Sequence, residues 1–525
     1  MRSEAAFSGL LVLAFLSLGS IGVMNHEMWR DELVGWLVVR DGSSIGDVLT
    51  NLKSSPGHTL AWHLCLYVLS RFTRNPVAMQ LWHLTLAAIV IYLLARFSPF
   101  TKLQKVLLSF GYFFVYEYAV ISRMYVLGVL FLFCFCALYH TRRKGFFLLS
   151  VILFLLANTS AYGVIIAVSL GLTVLFECVI DNTRLRSSPS GRWDLAASLL
   201  VFALGIVSAA LQIVPLRDEG SAMIWTPGIR ARWIVETLTV IWRSYIPLPN
   251  VFTYQFWNTN ILMDGPWKLP AAVCAALSLG LLAFFVVSLA GKPVPLFLYL
   301  VGTVAILSFS YIVPYIRLLS GVRHHGHLFV LLVACLWIAS HYRAAPVSNR
   351  FLQSVSHSSN RYGHKLVMFM LCTHVAAGAT AYGADLLNPF SASKDAARFI
   401  KDQQMEDMLI VGTQDYAVSP LAALLDREIF YLESGRFGSF IVEDKKRKQK
   451  VNPREIPGKV SALLSQRKTD ILLVVNYNLA PLFVEEWGSA RTHDLNFTIE
   501  GLSAFTRSIV PDEQYYLYLI RRNTI

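Results

Sequence analysis

Two adjacent carboxylates, Asp31 and Glu32, stand at the far end of the first apolar run, in the segment NHEMWRDELVGWLVVRD. Trp29, Arg30 and Trp36 flank them, and Gly9 to Met24 before them run apolar, so the pair falls where a membrane span emerges from lipid. Ionised side chains at membrane depth are costly, and a site that keeps them is a functional candidate by default. The plainer reading is a charged loop at a helix end. Cationic donors stand at other segment boundaries. ISRMY supplies Arg123 and Tyr125, with Glu117 one or two turns before, and IRLLSGVRHHGH supplies Arg317, Arg323, His324, His325 and His327. SPGHTLAWH adds His58 and His63. The HHGH histidines at i, i+1 and i+3 do not put three rings on one helical face, so no dedicated zinc site is expected. Single basic residues near helix ends often only snorkel to water. The combination says more. A carboxylate beside several cations suits attack by a deprotonated hydroxyl with an anionic leaving group.

The elements that must position these residues are membrane helices. Of the 525 residues, 55% are hydrophobic and 15% charged, against roughly 25% charged in a soluble domain. Apolar runs near the ~20 residues of a spanning helix recur at 7–24, 77–96, 104–120, 122–140, 146–159, 161–180, 195–215, 267–290, 293–316, 326–341 and 366–384. With shorter segments, that predicts about 11–13 membrane helices. The net charge of +13 is concentrated in short connections such as 140–145 and 341–365, which reads as cytoplasmic anchoring and not as nucleic-acid binding. That bias puts Asp31, a first outer loop 25–57, Ser122–Tyr125, Arg317–His327, a large aromatic outer loop 216–266 and the C-terminal tail on the outer side. Segment 58–71 is then too short to cross and reads as re-entrant or interfacial. The seven cysteines all lie in apolar segments and read as small core residues. The first helix reads as a retained span, since no small-residue cleavage site precedes the acidic pair.

After Leu387 the composition changes. MLIVG (408–412), EIFYL (428–432), DILLVVN (470–476) and QYYLYLI (514–520) read as strands, with AVSPLAALLD and PGKVSALLSQ as helices between them. In SASKDAARFIKDQ, Ser391 or Ser393 is expected to be the N-cap of an amphipathic helix. EDKKRKQK (443–450) reads as a solvated loop. The expected architecture is a polytopic α-helical membrane domain over 1–387 and an extracytoplasmic soluble α/β domain over 388–525. No G-x-G-x-x-G follows a strand, so dinucleotide binding has no support.

The order of these motifs resembles the GT-C glycosyltransferases. An acidic pair after the first span, a G-H-x-x-L stretch at Gly57–His58, and S-R-x-Y opening an outer helix are similar to the protein O-mannosyltransferases and the bacterial lipid A aminoarabinose transferases, family 39-like membrane enzymes. LLANTSAYG (155–163) looks like that family's helix break, with Asn158 where a histidine is common. The resemblance implies a GT-C fold, a polyprenyl-phosphate sugar donor entering from membrane lipid, and a glycan, lipid or protein acceptor arriving from outside. It implies Asp31 as general base in an inverting displacement, with Glu32 orienting Asp31 or touching the sugar. Arg123, Arg323 and His324 or His325 would hold the departing phosphate; His58, Tyr125 and Arg317 would complete substrate binding. No nucleotide or other cofactor is required, and a divalent cation is left open. A bacterial inner membrane is the expected location. A transporter or flippase for lipid-linked sugars, or a non-catalytic scaffold, are the rival classes. Flippases carry charge at the midplane, whereas here it gathers at one face beside an appended domain.

Overall fold

The computed structural model describes residues 2–53, 59–181, 189–213, 228–313, 321–345, 350–442, 447–481 and 497–522. Among them, nine helices are long and apolar enough to cross a bilayer, which makes this an integral membrane protein. Two of the eleven apolar runs take other forms. The 146–159 run is an 11-residue helix, Phe147–Ala157, about 16 Å long. It stops at Asn158, whose amide donates to the Gly205 carbonyl and accepts from Ser208 and Gln212. The 104–120 run is interrupted at Gly111: a short helix Lys102–Ser109 precedes a buried π-turn, Phe113–Glu117. That turn sits against Gly326, where a Cβ would lie 2.5 Å from the Phe113 ring. The glycine is what lets the central helix Val322–Ala339 approach, and 94% of that helix's apolar window is buried inside the protein.

The first elements settle how the acidic pair is presented. Helix α1 (Arg2–Asn25) runs antiparallel to α5 (Val77–Phe97). Gln80 donates to the Val23 carbonyl at one end, and Lys102 lies 3.9 Å from Glu4 at the other. Gly19 accommodates Leu84 between them, the close approach that small residues permit in lipid. Between these two spans lie α2 (Arg30–Arg40), α3 (Ile45–Lys53) and α4 (Leu60–Ser70). Because α1 ends and α5 begins on the same face, α4 does not cross. Arg71 at its end donates back to the Val39 carbonyl at 2.6 Å, which ties the end of α4 to the end of α2.

After the long helix Arg350–Leu387 the chain forms one six-stranded sheet in the order β3-β2-β1-β4-β6-β5. Its strands are β1 (Leu409–Gly412), β2 (Ile429–Tyr431), β3 (Arg436–Gly438), β4 (Ile471–Val475), β5 (Phe497–Phe505) and β6 (Tyr515–Arg522). β2, β1 and β4 are parallel, and β3, β5 and β6 join antiparallel. The helix Ser393–Asp402 opens this unit, with Ser391 Oγ accepting from the Ser393 amide. Within the basic run read as solvated, residues 443–446 lie outside the described residues. Arg447 is part-buried in a two-pronged pair with Asp415 at 2.7 Å, while Lys448, Gln449 and Lys450 are exposed.

This unit grips α2 at both ends. Arg30 pairs with Asp512 at 2.8 Å and its amide donates to Glu513, while Arg40 and Arg74 pair with Asp426 at 3.0 and 2.9 Å. Trp29, Trp257 and Phe390 add an aromatic contact across the same junction. The α2 segment, the 246–265 connection and the C-terminal unit therefore share one face. In a background lacking the native cysteines, single cysteines at Asn75 and Gln403 should be labelled from one side by an impermeant thiol reagent and one at Lys144 from the other. Labelling of Asn75 with Lys144 would mean that α4 crosses.

Candidate functional site

The acidic pair occupies the first turn of α2, where unsatisfied amides and the helix dipole favour negative charge. Glu32, at the third helical position, reaches back to accept from the Trp29 amide at 3.2 Å, the reach of a capping-box carboxylate. The same oxygen meets His26 Nε2 at 3.0 Å, and its other oxygen accepts from the Ser122 amide at 2.6 Å. His26 Nδ1 lies 2.8 Å from Asp385. His26 stands one residue beyond the first span. Burial opposes an imidazolium there, yet Asp385 and Glu32 outweigh it and push His26 up to about 10. A charged ring donates from both nitrogens, one to each carboxylate. Nearby in the C-terminal unit, burial pushes Glu513 up to about 7 against the pull of Arg30.

Asp31 faces the other way. Its side chain keeps 26% of its exposure, and Oδ2 lies 3.1 Å from Arg323 Nη2 and 3.3 Å from Arg123 Nη1. Arg123 also donates to the Asp31 carbonyl. Arg323 sits in the first turn of the Val322–Ala339 helix, where a cation opposes the dipole. The Asp31 carboxylate offsets that, as do the indole faces of Trp29 and Trp257, at 5.1 and 5.3 Å from the guanidinium. Trp257 is fixed in turn by donating to Glu117 at 2.9 Å. The helix start is capped by Asn258, in a left-handed conformation with φ 66°, whose Oδ1 accepts from the Val322 amide at 3.0 Å. A Cβ at position 321 would collide with that amide, which requires Gly321. Tyr125 and His324 meet at 2.7 Å, and His327 stacks on Tyr162 at 4.1 Å.

Of the residues singled out in the sequence, Asp31, Arg123 and Arg323 converge directly, and Tyr125 and His324 join as their neighbours. His325 is buried in the same first turn as Arg323. His58 and Arg317 lie outside the described residues. Glu32 is 1% exposed, with both oxygens engaged inward. Both of its oxygens are thus taken up by His26, the Trp29 amide and the Ser122 amide. Sequence reasoning missed His26, Asp385, Asn258 and Glu513, and read Trp257 only as one aromatic of the outer loop 216–266. The only available signal was an aromatic and polar loop, which also fits an interfacial belt. Among the described residues, no group of three or more His, Cys, Asp or Glu gathers to hold a metal ion.

No protein-family profile and no curated protein matches the chain. Solved structures do. ArnT from Cupriavidus metallidurans bound to undecaprenyl phosphate superimposes with a TM-score of 0.50 at 12% identity, covering 97% of each chain. The chain has the fold of ArnT. The apo form of ArnT matches equally, with a TM-score of 0.50 over 98% of each chain. At this identity the ArnT likeness concerns the fold, along the membrane helices and the C-terminal sheet alike.

The buried His26 cluster gives a stability test. A folded-state value raised from 6.5 to about 10 stabilises the protein fully below the unfolded value and loses that contribution as pH climbs through the folded one. Thermal stability in detergent should therefore decline between pH 7 and 10. His26→Gln should cost about 3–5 kcal/mol at pH 7, the range for breaking a buried ion pair, and should flatten that decline. An unchanged pH profile in the variant would contradict the assignment.

Proposed function

We propose that the chain is a membrane glycosyltransferase that moves a sugar from a polyprenyl-phosphate donor to an acceptor hydroxyl, with inversion. The observation that carries this reading is the Asp31 carboxylate, part-exposed and within 3.3 Å of two guanidinium groups from distant segments of the chain. A carboxylate can take the acceptor proton, and paired guanidiniums suit the geometry and charge of a departing phosphate. The bound lipid named for the ArnT structure, undecaprenyl phosphate, has the chemistry of such a leaving group. The Lys/Arg bias of the short connections argues that this face is extracytoplasmic; a bacterial inner membrane is the location we propose. We take 1–387 as the catalytic membrane domain and 388–525 as an extracytoplasmic domain that braces the acidic helix.

In this reading Asp31 removes the hydroxyl proton as the oxygen attacks the anomeric carbon, and Arg123 and Arg323 stabilise charge growing on the phosphate. Glu32 and His26 act through position. Asp31→Asn keeps the shape but removes the proton acceptor. Turnover of labelled polyprenyl-phosphate sugars should fall by about 10²–10⁴, with membrane insertion intact. Wild-type turnover in that variant would sink the mechanism. Arg323→Lys keeps the charge but loses the planar fork and the stacking between two indoles. It should lower turnover by roughly tenfold, equivalent to about 1.4 kcal/mol; equal turnover would reduce Arg323 to a structural cation.

A further inference from the structure

The base and the leaving group of the proposed reaction require the same two cations. Arg323 and Arg123 approach a single oxygen of Asp31 at 3.1 and 3.3 Å, distances at which guanidinium groups also hold phosphate oxygens. Among the described residues, Asp31 is the one carboxylate within 4 Å of the Arg123 guanidinium. Trp29 and Trp257 stand over the faces of the Arg323 guanidinium. Indoles hold a cation without neutralising it.

We infer that the Asp31 carboxylate occupies the phosphate subsite when no lipid is bound, and that ownership of Arg123 and Arg323 passes between Asp31 and the lipid phosphate during each turnover. This rests on the proposed glycosyl transfer. As the anomeric carbon–phosphate oxygen bond breaks, its electron pair stays on the phosphate. The acceptor oxygen forms the new bond, and its proton moves to Asp31. Asp31 is then neutral, the phosphate carries the extra charge, and both guanidiniums turn to the phosphate. When Asp31 returns its proton to water through its exposed edge, the carboxylate competes again and helps expel the polyprenyl phosphate. Product release is thereby tied to deprotonation of the base.

Competition makes a prediction that a purely structural ion pair does not. Removing the carboxylate should tighten binding of the phosphate product while abolishing turnover. Equilibrium binding of undecaprenyl phosphate to full-length protein in lipid nanodiscs should be roughly tenfold or more tighter for Asp31→Asn than for wild type, with slower dissociation. Asp31→Ser should behave alike, which guards against a folding defect peculiar to one variant. Inorganic phosphate, run in parallel, should compete weakly and gain from the same substitutions, separating the phosphate contribution from that of the lipid chain. Unchanged or weaker binding in both variants, with wild type binding and Arg323→Gln losing affinity, would overturn the exchange and leave the glycosyltransferase reading intact. No binding of the lipid to wild type would remove that reading, and the exchange with it.

Discussion

The buried carboxylate of Glu32 is the constraint on which the site depends. It joins the end of the first span through His26, the start of α2 through the Trp29 amide, and the turn before Arg123 through the Ser122 amide. Removing a carboxylate from water carries a desolvation cost of several kcal/mol, so these partners are structural requirements. With Glu32 held inward at the third position of α2, Asp31 at the second position points to the arginines. Glu32 fixes the backbone, and Asp31 beside it stays part-exposed.

The cations are positioned by a different device. Arg323 lies at the wrong end of a helix for its charge, and it stays because two indoles and one carboxylate surround it. The indoles belong to separate segments, and both touch Phe390 where the C-terminal unit begins. That unit also holds Arg30, beside Asp31, through Asp512 and Glu513. The sheet therefore braces the helix that carries the candidate base. A displacement of the C-terminal unit would be felt at Asp31 through Arg30, one residue away.

Much of this was legible in the residues because charge at membrane depth is conspicuous. Asp31, Arg123 and Arg323 stand out against apolar surroundings, and Lys/Arg bias alone put them on a common face. Strands β1, β4 and β6 were visible as short apolar runs, since each is buried in the sheet. Strand β5 was not, because FTIEGLSAF alternates with exposed positions and contains a glycine. The 104–120 run hid its break because a buried π-turn has the same composition as a span. His26 and Asp385 were unreadable as partners across 359 residues, and Trp257 looked like any interfacial aromatic. The residues alone left Glu32 either orienting Asp31 or touching the sugar; its side chain turns inward, to His26 and two backbone amides.

The most direct test is a structure of the protein with undecaprenyl phosphate bound. The account predicts the phosphate between the Arg123 and Arg323 guanidiniums, with the Asp31 carboxylate drawn away from one or both and left facing the position of the anomeric carbon. A phosphate bound elsewhere, with the pairs from Asp31 to Arg123 and Arg323 unchanged, would contradict it.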